Sequence, residues 1–315
     1  MTATYLFDRS NYQGRLELTD RDRLDLLHRM STNDLLKMQL GEGRSTVLTT
    51  ANARIIDRVI VYHRGETALM LANQPAVVRT WLQRYIFFQD KVKIRDVSAE
   101  LGQLEIYGSQ AAEIAESIAP GASGLALHSF IDVPESGLLI ARTFPMLQDG
   151  FILIVPVAAL ESWQQAVQQH GATIGDEARY EMLRIEAGLP GTGHELTEDY
   201  IPLEANLWDS VSFAKGCYIG QEIIARMESR NRLAKTLVHL NMATVAPLGS
   251  RLTEDDRAVG TLTSIAQRDD GTIIGLGFVK PELAVPGTHL NIATADDQAD
   301  QVTITVEVTA PTFVR

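Results

Sequence analysis

The sequence predicts an α+β protein that ends in a small all-β unit, on three observations. Helix and strand patterns alternate through the first two thirds of the chain, the texture changes to short alternating segments at Lys235, and 315 residues is the length of about two domains. The boundary is expected between residues 234 and 235, with 1–234 as one region and 235–315 as the other.

Thr19 with Asp22 three residues later resembles a capping box, and Leu24, Leu27 and Met30 follow at helical spacing, which predicts a short helix over 20–30. Thr46-Val-Leu-Thr-Thr and Arg54-Ile-Ile-Asp-Arg-Val-Ile-Val-Tyr are rich in β-branched residues. With Ala51-Asn52-Ala53 between them they read as a hairpin whose second strand is apolar on both faces. Pro75 opens a helix expected to run through Phe88. Strands near 91–97, 103–107, 137–144 and 151–155, and helices near 109–118 and 157–170, continue the alternation. Ala178, Met182, Ile185 and Leu189 trace one stripe of a helix over 175–187, with Gly188 where a left-handed C-cap residue sits. Beyond Lys235 the segments 235–240, 258–265, 272–279, 288–292 and 302–308 are separated by Pro, Gly and Asp clusters, the pattern of a small β-barrel or sandwich.

Charge and cysteine usage exclude several functions. Lys and Arg number 28 against 40 for Asp and Glu, a net charge of −12, which disfavours direct nucleic-acid or anionic-membrane binding. One cysteine, Cys217, rules out an internal disulfide and a four-cysteine zinc or cluster site within one chain, and it fits a reducing compartment. With no signal-peptide pattern and no run of 18 apolar residues, a cytoplasmic setting is expected. The seven histidines include no pair at helical metal spacing, so no metal site is expected, and the glycine clusters at 41–43 and 191–193 match neither a phosphate loop nor a dinucleotide fingerprint.

The chemistry concentrates between Leu183 and Arg226, where glycines are grouped with Cys, Lys, Glu and Arg. Cys217 stands just before a helix expected from Ile219, two residues after Lys215, where helix amides and an ammonium favour thiolate; the alternative is a small buried apolar residue. Glu186 lies at the edge of the 175–187 stripe, where a partly enclosed carboxylate can accept two adjacent N–H groups of a pterin ring or pair with Arg184 or Arg179. Asp57 falls on the apolar face of the strand 54–62, as a chemical acid or the partner of Arg54 or another cation. Lys215, Arg226 and Arg44 are candidates for the local positive charge that an anionic ligand needs, and are otherwise surface cations.

Lys215-Gly-Cys-Tyr-Ile-Gly-Gln-Glu matches the signature of the YgfZ-type folate-binding proteins, relatives of the glycine cleavage aminomethyltransferase (T-protein) and of the mitochondrial iron–sulfur assembly factor. The resemblance extends through Leu-His-Arg-Met-Ser-Thr-Asn-Asp-Leu at 27–35, the run at 41–50, Arg-Ile-Ile-Asp-Arg-Val at 54–59, Arg-Ile-Glu-Ala-Gly at 184–188 and Val-Gly-x-Leu-Thr-Ser at 259–264. It implies two interleaved α+β lobes in a ring-like arrangement with a C-terminal β-barrel, and tetrahydrofolate in the central hole. It further implies Glu186 as the pterin reader, Asp57 as the strand acid, Cys217 as the functional thiol, and Lys215, Tyr218 and Arg226 around the folate. The chain departs from the aminomethyltransferases in three ways: Arg58 follows Asp57 where they usually carry a second acid, they lack the Lys-Gly-Cys signature, and Asn52-Ala53 stands where a Lys-Gly-like pair is expected. The resemblance therefore implies a tetrahydrofolate-binding accessory protein for 4Fe–4S cluster assembly or repair, indirectly supporting tRNA modification, with iron–sulfur enzymes or assembly proteins as partners. The alternative is an aminomethyltransferase that passes a one-carbon unit to tetrahydrofolate, and whether the chain is itself an enzyme stays open between the two.

Overall fold

The computed structural model describes residues 3–230, 232–294 and 302–311. They form two compact units, one built from the residues up to Asp176 together with Asp209–Gln221, the other from Glu177–Trp208 together with the described residues from Glu222 on. The units do not follow the expected boundary at 234: the chain leaves the first unit at Glu177 and returns to it at Asp209.

In chain order the first unit contains β1 (Thr4–Asp8), β2 (Gly14–Thr19), α1 (Arg23–Met30), β3 (Gly43–Thr49), β4 (Ile55–His63), β5 (Thr67–Ala72), α2 (Pro75–Gln83), β6 (Lys93–Asp96), β7 (Leu101–Gly108), α3 (Ala111–Ile118), β8 (Phe130–Val133), β9 (Leu138–Arg142), β10 (Asp149–Pro156), α4 (Leu160–Gln169) and β11 (Thr173–Ile174). Its strands make a six-stranded sheet, β11-β1-β7-β10-β9-β8, and a five-stranded sheet, β3-β4-β5-β2-β6. The two-residue period of a strand explains how these sheets share one core. Along β5, Ala68, Met70 and Ala72 face α1 and α2, while Leu69 and Leu71 face the other sheet. Along β10, Phe151, Leu153 and Val155 face α3 and α4, while Ile152 and Ile154 meet Leu69, Leu71 and Tyr62. β4 meets apolar neighbours on both faces, with Ile56, Val59 and Val61 on one side and Ile60 and Tyr62 on the other, and is interrupted by Asp57 and Arg58.

The second unit holds α5 (Glu177–Glu186), which packs on the barrel strands β14 and β15, and most of α6 (Gln221–Arg230). Strands β12 (Thr236–Met242), β13 (Arg251–Glu254), β14 (Arg257–Gln267), β15 (Ile273–Val279), β16 (Thr288–Thr294) and β17 (Val302–Pro311) close into a barrel in the order β12-β15-β14-β13-β16-β17. Its interior is filled by Val238, Leu240, Leu252, Leu262, Leu290, Ile292, Val306 and Val308. The barrel expected from Lys235 is present, and α5 packs with it because its apolar stripe has those strands to cover.

Other elements differ locally from the sequence reading. α1 starts at Arg23, with no side-chain cap, because the Asp22 carboxylate accepts the N–H of Lys91 (2.7 Å) instead of the helix amides. α2 ends at Gln83, and the following turn is closed by Asp90 on the N–H of Phe87. Among the described residues no helix is long and apolar enough to cross a membrane.

Candidate functional site

Within the first unit, the returning segment 209–221 is fastened to the residues around α1 and the β3–β4 hairpin. Thr32 Oγ1 donates to Ser210 O (2.6 Å), Asn33 Nδ2 to Asp209 O (3.1 Å) and to Ser45 O (2.9 Å), and the hydroxyls of Ser45 and Ser210 meet at 2.8 Å. Thr32 and Asn33 belong to the 27–35 run and Ser45 to the 41–50 run, and their positions explain those runs as the seat of the segment.

Lys215 is buried. Its ammonium donates to the carbonyls of His28, Ser31 (2.6 Å) and Asn33 (3.0 Å), the last turn of α1 and the residues just beyond it. A lysine there satisfies carbonyls that the helix leaves unpaired and complements the negative end of its dipole. All three N–H donors are committed, so this cation closes a helix and has no donor left for an anionic ligand tail. Burial pulls its pKa down to about 8, with Asp34 opposing. The ring of Tyr218 lies 5.0 Å from the ammonium and is itself buried, which pushes its phenol up to about 12.

A second clamp lies downstream. Thr49 Oγ1 donates to Ile219 O (2.7 Å), Ile219 packs on the core of α1 and β4, and Gly220 sits at φ +83° against the hairpin turn. A Cβ on Gly220 would stand 2.9 Å from Ala53 Cα and Thr50 O, whereas one on Gly216 would meet nothing within 4 Å. Gly220→Ala is therefore expected to cost about 2 kcal/mol and Gly216→Ala almost nothing, as read by chemical denaturation of the two variants.

Between the clamps Cys217 is exposed, which removes the buried-residue alternative. The following helix starts at Gln221, four residues on, so Cys217 lies outside its first turn. Arg226 is on α6 with its guanidinium 2.6 Å from Glu222 one turn earlier, a solvent-exposed pair. Arg44 is half-buried and donates to Asp34 O.

Asp57 is fully buried on β4. Its oxygens accept from Asn73 Nδ2 (2.7 Å) and from the N–H of Gln74 (3.0 Å), amide donors rather than the cation expected from the sequence. Burial raises its pKa to about 6, against which those donors pull it down. Between its usual value near 3.8 and 6 the folded chain holds a proton that the unfolded chain has lost, so this group's contribution to stability fades as pH rises through that window.

In the second unit Glu186 is exposed and pairs with Arg268 (3.1 Å), not with Arg184 or Arg179. Arg179 pairs with Asp269. Arg184 is buried and grips Glu181 (2.6 Å), Glu195 (3.2 Å), Leu189 O (2.7 Å) and Ser264 Oγ (2.9 Å). Glu195, fully buried and not singled out from the sequence, also accepts from Gly191 N–H (2.8 Å), Thr263 Oγ1 (2.5 Å) and Ser264 Oγ (2.7 Å). This network fixes the loop after α5. Its signal in the sequence was the Thr-Ser ending the 259–264 run. Beside Glu186 opens a cavity of about 160 Å³, lined also by Asn241, Arg268 and His239. The structure thus brings Lys215, Tyr218 and the Cys217 loop together in one unit, and places Asp57 in the same unit and Glu186 in the other. Among the described residues no three His, Cys, Asp or Glu side chains gather to hold a metal ion.

The sequence matches the model of the family described as the GCVT N-terminal domain over residues 1–215. A chloroplastic protein of Arabidopsis thaliana with a provisional transferase name is 29% identical over 287 residues, covering 89% of this chain and 66% of its own length. The aminomethyltransferase of Chlorobium limicola is 30% identical over 308 residues, covering 92% of this chain and 83% of that protein. The chain thus spans just under two thirds of the plant relative. The crystal structure of the glycine cleavage system aminomethyltransferase T from Bartonella henselae has a TM-score of 0.85 and 19% identity, covering 99% of this chain and 86% of that one, which shows a shared fold.

Proposed function

The chain belongs to the GCVT N-terminal domain family, and on that premise we propose that it binds tetrahydrofolate and acts as a YgfZ-type accessory protein for assembly or repair of 4Fe–4S clusters, indirectly supporting tRNA modification. The observation that carries this reading is the presentation of Cys217: an exposed thiol in the middle of a short loop clamped at Lys215 and at Ile219-Gly220. Fixing the backbone on both sides removes the ordering cost that a floppy loop would meet on contact with a partner. One thiol cannot enclose a cluster, so Cys217 acts together with ligands of an iron–sulfur client or assembly protein. The free thiol fits the reducing cytoplasm. The net charge of −12 favours a protein client over direct contact with RNA. Glu186 is the residue assigned to the pterin ring. Arg226 is kept as a candidate for the glutamate tail, since its ion pair with Glu222 is an exposed one that is easily exchanged.

The second reading, aminomethyl transfer to tetrahydrofolate, is favoured by the relatives that bear that name and by Asp57, whose pKa of about 6 suits an acid that handles a proton near neutral pH. The two separate in cells lacking the gene. Complementation with Cys217→Ala is expected to leave client 4Fe–4S enzyme activity at the level of the empty vector, while the variant keeps wild-type stability because the thiol is exposed. Full client activity from Cys217→Ala, with Asp57→Ala abolishing a glycine-cleavage partial reaction, would establish the second reading instead.

A further inference from the structure

Asp57 is one end of a hydrogen-bond chain that crosses the interior of the first unit. Asn73 Nδ2 donates to Asp57 Oδ1 (2.7 Å) and to Arg58 O (3.0 Å), so both of its N–H bonds are used. Asn73 Oδ1 accepts from Gln13 Nε2 (3.0 Å), and Gln13 Oε1 accepts from Gln103 Nε2 (2.6 Å). Gln103 Nε2 gives its second N–H to Glu105 Oε1 (2.7 Å), and Tyr107 OH donates to Glu105 Oε2 (2.7 Å). Asn73 follows β5, Gln13 lies in the turn between β1 and β2, and Gln103 and Glu105 are on β7.

A side-chain amide fits its density of neighbours either way round, so the ends decide the direction. The carboxyl oxygens of Asp57 at one end and of Glu105 at the other all accept, from Asn73 and Gln74 N–H and from Gln103 and Tyr107 OH. Between two acceptor ends one amide must donate both ways, and Gln103 is that amide. Its oxygen is accordingly buried with no hydrogen-bond partner among the described residues, and turning the amide over would set that oxygen against Gln13 Oε1 and Glu105 Oε1. Gln13 cannot drift to relieve this, because its N–H is on Arg9 O (3.1 Å) and its carbonyl receives the Arg15 guanidinium.

We propose that Gln13 and Gln103 are positioning residues for Asp57: by engaging Asn73 Oδ1 they hold the amide's NH₂ on the carboxylate and so set how readily Asp57 keeps its proton. The chain carries orientation and not protons, since a neutral amide neither gives up nor takes a proton near pH 7. The charged and titratable groups that its contacts place beside it are Arg58, next to Asp57 on β4, Arg9 and Arg15 at Gln13, and Tyr62 and Tyr107 facing Glu105. For its meaning in catalysis the inference rests on Asp57 as the proton-handling acid of the second reading. Its test does not depend on that reading.

The test is carbon NMR of the full chain with ¹³C-labelled aspartate carboxyls, the Asp57 signal being the one missing from Asp57→Asn. Gln13→Met and Gln103→Met each keep an unbranched side chain and remove the link. Each is expected to raise the Asp57 midpoint by about half a pH unit, because a donor to the charged form is loosened. Gln13→Leu removes the same donor without adding a charge and is expected to shift the midpoint in the same direction; it serves where a Met variant does not fold. A merely structural role would lower stability and leave the midpoint in place, so a folded variant in which Asp57 titrates as in the wild type overturns the proposal.

Discussion

Replacing Arg184 by Met is expected to destabilise the protein by about 3–5 kcal/mol, the cost of leaving a buried charge without its partner. The charge left behind is Glu195, which has no exposed surface and keeps only neutral donors, Gly191 N–H and the hydroxyls of Thr263 and Ser264, when the guanidinium is removed. The Leu189 carbonyl loses its donor as well. Denaturant midpoints provide the measurement, and a double-mutant cycle sharpens it. Glu195→Gln alone should cost less, because an amide can still accept, and combining it with Arg184→Met should recover part of the loss. Strictly additive effects would mean that the pair is not coupled as the geometry requires.

Lys215→Met is expected to cost about 3 kcal/mol, since three carbonyls at and beyond the end of α1 lose a charged donor in a place where water does not replace it. Its effect depends on pH with a definite sign. Burial lowers the lysine from 10.5 to about 8, so between those values the unfolded chain holds a proton that the folded chain has released. The part of the stability set by this group is present above 10.5 and is lost as pH falls through about 8. Thermal unfolding of wild type should therefore show a component that rises with pH across that window, and Lys215→Met should lack it. A variant as stable as wild type would remove Lys215 from its capping role.

These two networks show where the sequence was legible. The barrel could be read because its strands alternate and are punctuated by Pro, Gly and Asp. The β3–β4 hairpin could be read because β-branched residues are dense on both sides of the turn. β5 was hidden by its composition: Thr67-Ala-Leu-Met-Leu-Ala is made mostly of good helix formers, and it is a strand because it has an apolar core on each face. Lys215 and Cys217 could be picked out as neighbours in a glycine-rich run, but their separate fates could not. The carbonyls that take up the lysine lie 182 to 187 residues upstream, beyond any local pattern. Helical spacing left Glu186 open to a pterin ring or to a pair with Arg184 or Arg179. Arg184 is turned inward to Glu195 and the barrel's Ser264, and Glu186 is left to Arg268.

Both functional readings require folate on this chain, and binding tests that requirement without reference to any client enzyme. Titration calorimetry of reduced tetrahydrofolate into the full chain is expected to show one molecule bound per chain. Glu186→Gln should weaken it by about tenfold, through loss of a charge-assisted hydrogen bond to the pterin ring. Equal affinity in the two proteins would take Glu186 out of the site. A wild-type chain that takes up no tetrahydrofolate at all would contradict the account at its centre.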